Sequence, residues 1–225
     1  MKAALDADAE VIHKDYDSNL CWERNVNAGD VKSAFAEADV VIEEEFQFGR
    51  HTGVTLESRS IIADYDPGEE MLTLYQSTQA PHMKQALFAK HLQLEEHKVR
   101  IICRDVGGAF GLKAHAYGDE FATAAISKIL GRPVKFVAVR MESFLADIHA
   151  RDHVVKGKIG ISAAGKILAI EIDDLTGIGP YSVYPRSSGM EVNQVCNLTG
   201  GPYKFDNYKA RGRVVFLNKP PMCQY

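Results

Sequence analysis

Ten residues of this 225-residue chain, Arg104-Asp105-Val106-Gly107-Gly108-Ala109-Phe110-Gly111-Leu112-Lys113, carry the strongest chemical signal. Gly107, Gly108, Gly111 and the small Ala109 surround a single Phe110. The run follows an apolar, β-branched segment (98–103) and precedes a helix-like one (119–130). Glycine permits positive φ and lets another group approach the backbone closely. A helix start just beyond adds free N–H groups and the positive end of a dipole, which suits an anionic ligand. The chemistry on offer is hydrogen-bond donation by main chain at short range. A tight turn without a ligand is the alternative reading of the same residues. The run is neither the dinucleotide fingerprint G-x-G-x-x-G nor the phosphate loop G-x-x-x-x-G-K-[ST].

Other reactive side chains form no constellation. His149 and His153 are four apart, but the segment reads as a turn into a strand with no third ligand near, so no metal site is expected. Cys21, Cys103, Cys196 and Cys223 are scattered without a C-x-x-C pair, which argues against structural zinc, an iron–sulfur cluster or a redox dithiol. Glu43-Glu44-Glu45 reads as a solvated strand edge that discourages aggregation. Glu57, in Thr55-Leu56-Glu57-Ser58-Arg59, reads as one half of a structural ion pair.

The elements that must position the loop follow from periodicity and turn residues. Residues 1–29 read as polar and irregular. Asp30 is placed to cap a helix Val31–Ala38, and 40–48 reads as a strand. Strands Ser60–Tyr65 and Met71–Gln76 flank the turn Asp66-Pro67-Gly68-Glu69. A helix Pro81–Leu92, strand 98–103, the glycine loop, helix 119–130 ending at Gly131, and strand Val134–Val139 come next. A hairpin of Val154–Ile161 with Ile167–Leu175, a mixed region 181–198 with helix in its later part, and strand 208–217 complete the chain. Two β-β-α-β passes imply an α+β fold, a mixed β-sheet layer with packed helices, rather than a doubly wound sheet.

Composition sets the class. The chain is 46% hydrophobic and 25% charged, as in ordinary globular proteins. A net charge of −4 gives no footprint for nucleic acid or anionic lipid. With no apolar run of membrane length and no signal peptide, a cytoplasmic location is expected.

The motifs in order are Ser77-Thr78-Gln79-Ala80-Pro81-His82, the glycine loop, Gly131-Arg132-Pro133-Val134, and Arg140-Met141-Glu142. This succession resembles the molybdenum-binding large subunit of the xanthine dehydrogenase, aldehyde oxidase and carbon monoxide dehydrogenase family over roughly residues 40–225. The resemblance implies a molybdopterin-cofactor-binding type of fold and a molybdenum–molybdopterin cofactor, as the plain pterin or as a dinucleotide form. It implies an oxidoreductase that oxidises an aldehyde, an N-heterocycle or carbon monoxide with water as the oxygen source. Iron–sulfur and flavin subunits and the rest of the molybdenum subunit are the implied partners, with no cluster or FAD in this chain.

By the same resemblance Gln79 contacts the metal's oxo group through its amide, and Gly108, Ala109, Phe110 and Gly111 pack beside the cofactor, with Phe110 also a candidate core anchor. Lys113 could approach a cofactor phosphate, although a lysine at a helix start is usually exposed. Ala114 and Gln194 stand in the substrate pocket where purine hydroxylases carry a glutamate and an arginine, which argues against a purine substrate. Cys223 precedes the position of the copper-binding cysteine of one carbon monoxide dehydrogenase class and is not read as that ligand. No catalytic residue is assigned, because the family's glutamate base lies far toward the C-terminus. The chain is expected to be a fragment: 1–45 the end of a preceding domain and connector, 46–225 the first molybdenum-cofactor-binding domain, cut before the second. A catalytically inactive truncated domain, or an assembly module docking on partner subunits, is the competing reading.

Overall fold

Strands β3 (Ser60–Asp66) and β4 (Met71–Gln76) form the hairpin around which one half of the computed structural model is built; the structure describes residues 1–223, and the last two residues of the expected cofactor domain lie outside them. Asp66 closes the hairpin by accepting the Gly68 and Glu69 N–H groups at 2.8 and 3.3 Å. Helix α2 (Pro81–Leu92) begins on a proline whose missing N–H costs nothing there, and ends at Gln93 in the left-handed region. It returns the chain to β5 (Val99–Ile102), parallel to β4, while β6 (Val134–Val137) pairs antiparallel with β3. The four-stranded sheet therefore runs β5-β4-β3-β6. Its alternating apolar residues Ile61, Ala63, Leu72 and Leu74 are buried with Phe88 and Ala89 of α2 and with Ala124 of α3 (Gly118–Leu130). This unit comprises residues 52–148 and 183–185.

The second unit comprises 1–51, 149–182 and 186–223. Its five-stranded sheet runs in the order β1 (Leu20–Ala28), β9 (Asn207–Val215), β8 (Ile167–Gly177), β7 (His153–Ile161), β2 (Val40–Phe48). Strand β7 (His153–Ile161) and β8 (Ile167–Gly177) form a hairpin, and α5 (Met190–Leu198) carries the chain to β9 (Asn207–Val215), parallel to β8. The edges are β1 and β2, which flank in sequence the short helix α1 (Val31–Ala36), capped as expected by Asp30 accepting the Ser33 N–H at 3.0 Å. Ile170, Ile172, Ala210 and Cys196 form the core beneath α5. Gly212 is required there, since a Cβ on it would lie 2.4 Å from Val192 of that helix.

The α+β expectation holds: β3-β4-α2-β5 and β7-β8-α5-β9 are the two β-β-α-β passes. Two elements differ from the sequence reading. Residues 20–28, expected to be irregular, form β1; an edge strand is held by backbone pairing to β9, and most of its side chains remain in solvent, so its apolar pattern is weak. Arg140–Ala146, to which the sequence reading assigns no element, forms helix α4, whose start is held by Glu142 accepting the Val139 N–H at 2.7 Å. The triple glutamate lies on exposed edge β2, with Glu43 paired to Lys156 and Glu45 to Lys2. Among the described residues no helix is long and apolar enough to cross a membrane.

Candidate functional site

Three consecutive residues at the end of β4 hold the glycine loop. Ser77 Oγ donates to Glu57 at 2.6 Å and accepts from Lys113 Nζ at 2.7 Å. Thr78 donates its hydroxyl to the Lys113 carbonyl at 2.9 Å. Gln79 accepts the Gly111 N–H on Oε1 at 2.9 Å. The S-T-Q motif is thus a row of side chains, each bonded to its own partner in or around the loop.

Between these fixings the main chain takes conformations that extended or helical backbone does not. Gly108 and Gly111 have φ of +93° and +88°, and Phe110, with a side chain, sits at +49°. Phe110 is 62% exposed, so the core-anchor reading is not met in this chain. Among the described residues the N–H groups of Ala109 and Phe110 have no partner. With Gly111 N–H taken by Gln79 Oε1, the Nε2 donors of the exposed Gln79 side chain remain for a ligand. The Ala109 and Phe110 N–H groups and the Gln79 amide therefore offer hydrogen-bond donors to a ligand rich in oxygen.

The helix-dipole part of the expectation is corrected. The loop runs into a single 3₁₀ turn, Leu112–Ala114, and α3 starts only at Gly118. Acidic side chains in the first turn of α3 are already committed to ion pairs, Asp119 with Arg59 and Glu120 with Lys84. The donors come from the loop itself.

Lys113 is also corrected: it is fully buried, with its ammonium 2.8 Å from Glu57 Oε2. Glu57 has the ion-pair role expected of it. Burial works to raise its pKa, but donation from Lys113, Ser77 and the Gly107 N–H outweighs this and holds the carboxyl below its ordinary range. Gly107 passes so close to Glu57 that an added Cβ would lie 2.5 Å from the glutamate Cβ. Gly107→Ala is expected to cost about 1–3 kcal/mol through forced separation of these segments, measured by urea unfolding. A cost within error of zero would mean the contact is looser than described.

Ala114 is buried in the 3₁₀ turn after Lys113, in the same unit as Gln79 and the loop, whereas Gln194 is exposed on α5 in the other unit. Neither carries a charge. His153, weighed as a metal ligand, has both ring nitrogens engaged, Nδ1 by Asp174 and Thr176 and Nε2 by Glu191. Among the described residues no group of three or more His, Cys, Asp or Glu side chains is placed to hold a metal ion.

Comparison with known proteins gives the family of the chain. A family profile described as "Molybdopterin cofactor-binding domain" matches residues 12–225. The chain is 31% identical over 197 residues to the 6-hydroxypseudooxynicotine dehydrogenase complex subunit gamma of Paenarthrobacter nicotinovorans, covering 88% of this chain and 24% of that one. It is 30% identical to the carbon monoxide dehydrogenase large chain of Hydrogenophaga pseudoflava, covering 84% and 23%. The crystal structure of quinoline 2-oxidoreductase from Pseudomonas putida 86 superposes with a TM-score of 0.93 at 28% identity, over 100% of this chain and 28% of that one. The chain spans about a quarter of the length of these relatives. With a loop of unpaired main-chain donors at its centre and the profile matched along nearly its whole length, the chain belongs to the molybdopterin cofactor-binding domain family of the molybdenum hydroxylases.

Proposed function

We propose that this chain is the part of a molybdenum hydroxylase large subunit that holds the molybdopterin cofactor beside the substrate. The observation that carries the reading is the Gln79–Gly111 hydrogen bond at 2.9 Å, which turns the free amide of Gln79 and the unpaired N–H groups of Ala109 and Phe110 into one set of donors. When bound, the molybdenum–molybdopterin group supplies oxidation of a carbon centre with water as the oxygen source. The chain's own residues would hold it: the Ala109 and Phe110 N–H groups and Gln79 Nε2 would donate hydrogen bonds to its oxygens, and the exposed Phe110 ring would supply an apolar contact. On this reading the proton-accepting base lies outside the chain, which alone is inactive, and iron–sulfur and flavin subunits take the electrons.

The substrate class is an aldehyde, an N-heterocycle or carbon monoxide. Uncharged Ala114, beside the loop, supplies no ionic partner for a purine edge, and Gln194 carries no charge either. Relatives named for nicotine and quinoline support the N-heterocycle within that range.

The test uses the full-length protein carrying this chain, expressed with its partner subunits. Molybdenum by mass spectrometry and release of the fluorescent oxidised pterin are expected in the complex; absence of both overturns the reading. In the loaded enzyme Gln79→Ala is expected to lower turnover about a hundredfold without changing the thermal unfolding midpoint. Unchanged turnover would remove Gln79 from the site.

A further inference from the structure

We infer that Glu57 is a positioning residue for the glycine loop: one carboxylate oxygen draws both ends of the loop together and so sets the donors between them. The inference rests on the reading of that loop as the cofactor cradle. Glu57 Oε2 accepts from the Gly107 N–H at 2.7 Å, where the loop begins, and from Lys113 Nζ at 2.8 Å, where it ends. The same oxygen takes the Ser77 hydroxyl at 2.6 Å, from the residue two before Gln79. The Glu57 N–H returns a bond to the Gly107 carbonyl at 3.0 Å, so residues 57 and 107 are clamped twice.

Five residues, 108–112, span the two tethers, and they include every positive-φ position and both unpaired N–H groups of the loop. The arrangement calls for an ionised carboxylate. Three donors converge on one oxygen, one of them the ammonium of a lysine with no exposure to water. A neutral amide at 57 would leave that ammonium without a counter-charge and compete for it with its own N–H groups. The loop glycines supply conformational freedom, and Glu57 removes it again in the one geometry that presents the donors.

The experiment compares wild type, Glu57→Gln and the double variant Glu57→Ala/Lys113→Met in the full-length protein. The double variant removes the buried ammonium together with its partner, so it remains informative if the single variant does not fold. Hydrogen exchange by mass spectrometry is read over 104–114 and, as an internal reference, over α3. Pterin content is read by fluorescence after release. Exchange of the loop is expected to speed by about tenfold to a hundredfold in both variants, with α3 unchanged and pterin retention reduced by a similar factor. A role confined to global stability would move loop and helix together. Loop exchange and pterin content as in wild type, or equal acceleration of loop and α3, overturns the inference. If wild type itself holds no pterin, the cofactor reading fails, and the exchange comparison still decides whether Glu57 sets the loop.

Discussion

Replacing Arg59 with methionine will destabilise the chain by about 3–5 kcal/mol, read as a lowered urea midpoint with an unchanged slope. Arg59 has no exposure to water. Its Nε meets Asp147 at 2.6 Å, its two terminal nitrogens take both oxygens of Asp119 at 2.6 and 2.7 Å, and Glu120 lies 3.7 Å away. The guanidinium also lies over the Tyr117 ring, 3.8 Å from its centroid. Three carboxylates thus share two cations, Arg59 and the buried Lys84. Burial opposes the charge on Arg59, but Asp119 and Asp147 outweigh it and hold the guanidinium protonated. Methionine fills much of the volume and leaves the carboxylates facing a single ammonium. Lysine keeps the charge and loses the fork that binds Asp119 and Asp147 together, so Arg59→Lys is expected to cost about 2 kcal/mol. Adding Asp119→Leu and Asp147→Leu to Arg59→Met should recover part of the loss, because a buried pair is costly chiefly when only half of it remains. A loss below about 1 kcal/mol for Arg59→Met would show that the network is hydrated rather than dry.

The network also shows what a single sequence does and does not disclose. Hairpin β3–β4, helix α2 and helix α3 were legible because their signals are local: a Pro-Gly turn, a proline at a helix start, a glycine at a helix end. Resemblance assigns Gln79 and the glycine loop to one cofactor, but the hydrogen bond that joins them spans 32 positions and leaves no local mark in the sequence. Lys84, Lys113 and Arg59 could not be read as buried. Each is a charged side chain whose counter-ion lies on another element, 36, 56 and 60 or 88 positions away, and composition places such residues in solvent by default. Strand β1 escaped for a different reason, in that backbone pairing leaves little mark on side-chain pattern at a sheet edge. Around the loop, what escapes a single sequence is polar burial, and polar burial is what fixes the loop.

The same kind of burial makes stability depend on pH. Between about pH 6.5 and pH 9 the protein will lose about 3 kcal/mol that the charge on His153 supplies. Its ring is 4% exposed, with Nδ1 at 3.0 Å from Asp174 and Nε2 at 3.3 Å from Glu191. Burial alone would lower the pKa, but the two carboxylates outweigh it and raise it from 6.5 to about 9. A raised pKa means that the folded state holds the proton more tightly than the unfolded one. The contribution is therefore complete below 6.5, the unfolded value, and is lost as pH climbs through 9. Glu191, on α5, is held low by the same histidine and by Arg151, although its own burial pushes the other way. The clasp thus joins β7 and β8 to α5, and it begins where Arg151 and Asp152 adopt φ of +70° and +74°, a costly turn that the Arg50–Asp152 pair at 2.6 Å helps to hold. His153→Gln will be less stable at pH 6 and will lack this slope, so the difference between the two proteins should shrink steadily toward pH 9.5. Titrating groups that do not touch residue 153 cancel in that difference. A gap that stays constant with pH would mean that His153 is neutral in the fold and that its carboxylate neighbours are satisfied by something else.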